Sequence, residues 1–377
     1  VKCILPLDNI YVDSIKNWTI LIYADGNNEM EEVIYKSLLA CENIGSSNDI
    51  NVVVEIGKLG NYKTNYENSW TGVRRYYVAN GSSILIEDLG KVNMADPNIL
   101  YDFIKWGWEN YKARHLMLVL SDHGGDFVGC FTDLSLSVPY IMGIPEMIEA
   151  INETKNNFEY TIDILVLDMC YMNCIEVIYE LSQEENPTVE TLVTYMDNAA
   201  YEGINYDKLI STTEKFSSIT DMHLFIKYFI DSQDYNMIAY EINHEKLEEI
   251  KLLFSDIAKT TETPLAALNN ISTKGEKSDF VKNINDKLKS IVIYSKKAFH
   301  GINQSINIVY EDVGHLIYFY EKLSFSKNNH WKALLSKMAV DKKYVKKDRV
   351  NVSLSSTSES KIHYILKFNG CKPKNEK

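Results

Sequence analysis

The chain has 377 residues, with 39 Lys and Arg against 52 Asp and Glu, and a formal net charge of −13. Gly at 17, Pro at 7, Tyr at 25 and a hydrophobic share of 45% exclude a collagen-like or wholly disordered chain. They leave a globular protein of two domains, or one large domain with an appendage, whose acidity argues against a nucleic-acid-binding body and favours cationic over anionic substrates.

The opening residues VKCILPLDNIYVDS do not read as a signal peptide, because Asp8 interrupts a short apolar run. The chain starts with Val and so reads equally as processed or trimmed. Both a secreted and a cytoplasmic location stay open. WTILIYA (Trp18–Ala24) reads as a buried strand and Glu29–Cys41 as a helix. INVVVEIG (Ile50–Gly57) is a second buried strand, and Val73–Val78 alternates like an edge strand or hairpin arm. A helix follows over Pro97–Lys112, then the strand HLMLVLS, which ends in a polar turn at Ser121–Gly125. A long connection leads to about Ile144 and a helix at Pro145–Thr154. The apolar run Ile162–Cys170, a helix Ile175–Glu184 and the strand Glu190–Asp197 complete the alternation. Short apolar runs separated by helices predict a mostly parallel sheet covered on both faces.

Beyond residue 216 the texture changes. Asp221–Phe229 and Glu245–Lys259 have helical periodicity, Thr260–Ser278 is a polar connector, and DKKYVKKDRV begins a basic tail. Strands are expected there at Val350–Leu354 and Ile362–Phe368. The expected divisions are an N-terminal segment 1–16, a catalytic domain 17–235 and a mainly helical C-terminal appendage 236–377. No internal repeat, membrane-length apolar run, HExxH or CxxC occurs, and no cofactor is expected. The six cysteines (Cys3, Cys41, Cys130, Cys170, Cys174 and Cys371) are too few for a disulfide scaffold at this length. No GxGxxG or GxxxxGK[ST] follows an expected strand, which disfavours a nucleotide-binding domain.

Reactive side chains in open α/β sheets gather beyond the carboxyl ends of the strands. His123 follows HLMLVLSD and precedes Gly124 and Gly125. Cys170 follows IDILVLDM. If these strands are neighbours, imidazole and thiol share one sheet edge, and the imidazole can take the thiol's proton. The bland alternatives are a buried hydrophobic Cys and a hydrogen-bonded structural His. Cys174, four residues on, reads as packing.

WTILIYADGNNEME, SDHGGDFVG and ILVLDMCYMNCIEVIYEL together resemble the clostripain family of cysteine peptidases, within the caspase, legumain and gingipain group. YEGINY at Tyr201–Tyr206 is similar to that family's later Gly-aromatic-x-Tyr turn, with Ile204 in the aromatic place. The resemblance implies a caspase-like sheet and a cysteine endopeptidase cutting after Arg or Lys. It implies Cys170 as nucleophile, His123 as general acid/base, and the N–H groups of Gly124 and Cys170 as the oxyanion hole. Asp168, Asp197 and Thr194 would line the pocket for the basic side chain. The implied partner is a peptide or protein substrate with Arg or Lys at the cleavage site, acted on by a monomer without nucleic acid or membrane. Calcium is a structural aid in some such enzymes. A processing peptidase dedicated to one precursor, and a homologue that binds peptides without cutting them, are the alternatives. Three departures stand out. Met169 replaces a small residue, which would narrow the site. Asp126 stands where Gly is usual. Lys155, at the end of an expected helix, is the only basic residue between His123 and Cys170, so self-cleavage there is not expected.

Overall fold

The computed structural model describes residues 15–60, 70–136, 138–158, 160–196, 199, 201–260, 286–297, 313–340, 353–356 and 362–365. Asp197, Cys3, Cys371, the connector beyond Thr260 and the basic run at 341–350 lie outside the described residues.

The first half runs β1 (Lys16–Ala24), α1 (Glu31–Glu42), β2 (Ile50–Lys58), β3 (Gly72–Ala79), β4 (Ser82–Gly90), α2 (Pro97–Asn110), β5 (Ala113–Ser121), β6 (Cys130–Asp133), β7 (Tyr140–Met142) and α3 (Ile144–Phe158). Then come β8 (Ile162–Asp168), α4 (Ile175–Glu180), β9 (Val189–Tyr195), α5 (Tyr206–Lys215), α6 (Met222–Ser232), β10 (Met237–Glu241), α7 (His244–Thr260) and β11 (Val292–Ser295). The C-terminal part holds α8 (Val313–Tyr320), α9 (His330–Val340) and the short strands β12 (Ser353–Ser356) and β13 (Ile362–Ile365).

One nine-stranded sheet, in the order β11-β10-β9-β8-β5-β1-β2-β3-β4, organises the molecule. Its centre, β9-β8-β5-β1-β2, is parallel, as the apolar runs predict. β3, β4, β10 and β11 flank it antiparallel. Because β10 and β11 hydrogen-bond onward from β9, the sheet continues through the division expected at 235/236. A second, four-stranded antiparallel sheet, β12-β13-β7-β6, is built on the hairpin that follows His123.

Strand side chains alternate between faces. Ile20, Ile22 and Ala24 enter one core with Ile34 and Leu38 of α1, Leu209 of α5 and Phe229 of α6. Leu21 and Tyr23 enter the other with Phe103 of α2, Met147 of α3, Phe254 of α7, and Tyr320 and Trp331 of the C-terminal helices. Helix starts are locally encoded. Asp96 caps α2 by accepting from Asn98 N–H with Pro97 next to it, and Asp221 caps α6 through Leu224 N–H.

The register fixes the site. Ala24 of β1 pairs with Ser121 of β5, and Ser121 pairs with Asp168 of β8. Three neighbouring parallel strands therefore end level, and the residues that follow them share one edge.

Candidate active site

His123 lies two residues past the end of β5 and Cys170 two past the end of β8, at the same height on adjacent strands. Gly124 ties the two loops together. A Cβ built there would sit 2.2 Å from the Cys170 carbonyl oxygen and 2.9 Å from Met172 Sδ, so only glycine lets the His loop lie against the backbone of the Cys loop. The His loop is further held by Phe131 N–H donating to the His123 carbonyl at 3.1 Å and by a bridge between Gly124 and Cys130. Tyr171, directly after Cys170, has φ 63°, and Asp126 has φ 55°. Left-handed backbone of this kind clusters where function over-determines the chain. At Asp126 it also accounts for the Gly usual there, since Asp is one of the few other residues that tolerate it.

The described cysteines carry no disulfide. Cys41, Cys130 and Cys174 are buried, and burial pushes their thiols up, which leaves them inert. Cys170 alone among them is only partly buried. Met169, beside it, is buried in the core.

His123 Nε2 is shielded from solvent and stands 2.9 Å from Glu29 Oε1. The contact becomes an ion pair when the imidazole is protonated. Burial by itself would lower the imidazole's pKa, but Glu29 and the neighbouring Asp122 outweigh it and leave the pKa raised. Contact with His123 in turn lowers the Glu29 carboxyl. Asp122 is buried and pushed up to about 7 by desolvation. It accepts from Asn28 Nδ2 at 2.7 Å and from Thr132 N–H at 2.6 Å. Sequence reasoning missed Glu29, which reads there as an acid at a helix start. The helix begins at Glu31, and Glu29 belongs to the loop.

Asp168 is buried beneath this edge. Its Oδ1 accepts from Tyr195 Oη at 2.6 Å and Ile204 N–H at 3.1 Å. Its Oδ2 accepts from Ser121 Oγ at 3.0 Å and Tyr206 Oη at 2.8 Å. Desolvation still leaves its pKa raised. Gly203, with φ 73°, wraps against it where a Cβ would lie 2.7 Å from Oδ2. The Gly, the backbone of Ile204 and Tyr206 in YEGINY thus all serve Asp168. Thr194 is fully buried, its hydroxyl 3.4 Å from the Leu167 carbonyl. Lys155 sits in α3, with Nζ donating to the carbonyls of Asn186 and Pro187. A hollow of about 610 Å³ lined by Trp108, Arg114, His115, Lys155 and Asp163 lies at the amino ends of β5 and β8, the opposite edge from Cys170. Among the described residues no cluster of three or more His, Cys, Asp or Glu is arranged to hold a metal, and no helix is long and apolar enough to cross a membrane.

A level row of parallel strand ends carrying His-Gly on one strand and a partly exposed Cys on the next, within a sheet of this order, defines a class: the cysteine-type peptidases with a caspase-like fold. The sequence model of the clostripain family matches residues 22–361, and the chain belongs to that family. Among curated proteins nothing matches. Similar solved structures include a secreted C11 cysteine protease from Bacteroides thetaiotaomicron in complex with an irreversible peptide inhibitor, at 14% identity and TM-score 0.61, covering 85% of this chain and 99% of that one. Another is an inactive zymogen C11 protease from Parabacteroides distasonis, at 16% identity and TM-score 0.58, covering 84% and 98%. At these identities the likeness establishes the fold.

Proposed function

We propose that this cysteine peptidase is an endopeptidase that cuts after Arg or Lys, with Cys170 as nucleophile and His123 as general acid/base. The observation that carries the reading is Gly124 pressed against the Cys170 carbonyl, which joins the two loops at one edge. His123 takes the Cys170 proton, and the sulfur attacks the substrate carbonyl carbon. The N–H groups of Gly124 and Cys170 receive the oxyanion. The imidazolium then protonates the leaving amine as the C–N bond breaks and a thioester remains. A water, deprotonated by His123, hydrolyses the thioester and restores the thiol.

For the basic side chain, Asp168 supplies negative charge from beneath the site and braces the turn at 203–206, with Thr194 behind it. Its four donors already occupy both oxygens, so the direct partner of the guanidinium or ammonium falls to Asp197. In sequence Asp197 follows β9 by two residues, as Cys170 follows β8. A charge-assisted contact of this kind, absent for a neutral side chain, is worth roughly 1.5–3 kcal/mol of discrimination. The net charge of −13 adds long-range attraction for cationic peptides that weakens with salt.

Mass spectrometry of a peptide-library digest tests this. Cleavage should follow Arg and Lys, disappear in Cys170→Ala, and slow by roughly a hundredfold to ten-thousandfold in His123→Ala. Cuts spread over uncharged residues would remove the specificity, and turnover surviving in Cys170→Ala would remove the nucleophile. No turnover by the wild type would leave the peptide-binding homologue.

A further inference from the structure

We propose that Glu29 is a positioning residue for His123, gripping Nε2 of the ring so that Nδ1 is the nitrogen that exchanges protons with Cys170 and the leaving amine. The inference rests on the Cys170/His123 reading and deepens it.

Half-exposed ion pairs usually contribute little, so the bland account is a solvated carboxylate that happens to lie nearby. Two observations oppose it. First, the exposure is one-sided. Glu29 is 45% exposed, but His123 Nε2 is closed off from water, so Glu29, 2.9 Å away, is the charge it meets. A ring nitrogen carrying a proton in that position is costly without an acceptor. Second, the loop carrying Glu29 is stapled to the His loop. Asn28 Nδ2 donates to Asp122, the residue before His123, and to the Thr132 carbonyl at 2.8 Å. Leu134 N–H donates to the Asn27 carbonyl at 2.8 Å, and Asn27 Nδ2 donates to Asp133 at 2.8 Å. Asp25 N–H donates to the Ser121 carbonyl. The backbone beneath Glu29 is therefore fixed relative to the imidazole, and the carboxylate is delivered to Nε2 by construction.

In the reaction, the Cys170 proton moves to Nδ1 and the positive charge spreads over the ring. The N–H at Nε2 then faces a carboxylate, which stabilises the imidazolium until it passes the proton from Nδ1 to the amine. The charged groups around His123 are Glu29 and Asp122, with Asp25 and Asp133 behind Asp122. Glu29 is the one that faces the ring nitrogen directly.

The test reads the His123 titration by nuclear magnetic resonance in the catalytically dead Cys170→Ala protein, with and without Glu29→Gln. Removing the carboxylate should move the His123 midpoint to lower pH, and Glu29→Asp should restore part of the shift. In the active protein, Glu29→Gln should lower kcat roughly three- to tenfold with little change in KM and move the acid limb of the kcat/KM profile to lower pH. An unchanged His123 midpoint in Glu29→Gln would overturn the proposal. Failure of the dyad reading appears separately, as full activity in His123→Ala, whereas the midpoint is read where no turnover occurs.

Discussion

Each oxygen of the Asp168 carboxylate accepts from two donors, and those donors come from β5, β9, the turn before α5 and the first residue of α5. A group so enclosed holds the local fold as well as any substrate charge. Asp168→Asn keeps the shape but presents an amide N–H to donors that need acceptors. Unsatisfied buried groups cost about 1–3 kcal/mol each, so the variant should lose roughly 2–4 kcal/mol in a urea titration and lose activity on charged and neutral peptides alike. Asp197→Ala should instead spare Gln and Leu peptides while weakening Arg and Lys ones. A stable Asp168→Asn protein that loses only the basic substrates would make Asp168 the direct partner. At this scale the position of Cys170 just past an apolar strand was legible in the sequence, but β8 ends at Asp168, so strand alternation does not reach Cys170. The saturation of Asp168 was not legible, because Tyr195, Ile204 and Tyr206 stand 27, 36 and 38 residues away in sequence. Glu29 was hidden for a different reason: an acid near a helix start ordinarily interacts with the helix dipole and water.

The strands that place the site were readable because they are buried on both faces, β2 along its entire length. β4 was not, since it is an edge strand with most side chains exposed and a composition, SSILIEDLG, that mixes polar and apolar residues without a clean period. α8 was hidden because its VGHLIYFY run is aromatic and β-branched, favouring a strand by propensity; tertiary packing decides it. That packing matters to the site. Tyr320 at the end of α8 donates to Glu176 of α4 at 2.9 Å and meets Phe127 of the His loop edge-on at 5.1 Å. Phe325 N–H donates to Glu180, one turn further along α4. The C-terminal part thereby braces the helix after Cys170 against the loop after His123. Such junctions bury acids. Desolvation pushes Glu176 and Glu55 up to about 7, Asp122 to about 7 and Asp126, with Glu176 facing it, to about 8. Unfolded carboxyls titrate near about 4, so between that pH and 7–8 the folded state retains protons that the unfolded state has released. Their stabilising contribution is complete at low pH and is lost as pH rises through the folded values. The raised His115 and His123 act in the same direction. Tm should therefore be lower at about pH 8.5 than at about pH 5.5 by calorimetry, and the reverse order would contradict the buried-acid account.

Over the whole molecule, one sheet extends from β4 to β11, and the C-terminal helices share a core with α2 and α3. The proposed catalytic edge is assembled from segments spread between Glu29 and Tyr206, and it is braced from as far away as Phe325. The connection between His123 and Cys170 offers Lys155 as its only basic residue, and α3 and the carbonyls of Asn186 and Pro187 hold that side chain. The central claim is that this architecture exists to activate one thiol of six beside a pocket for a basic side chain. A thiol-directed peptide inhibitor carrying Arg, followed by peptide mapping, tests it most directly. The account predicts a single adduct on Cys170, competed away by Arg peptides and absent from Cys170→Ala; an adduct on any other cysteine, or labelling that persists in Cys170→Ala, would contradict it.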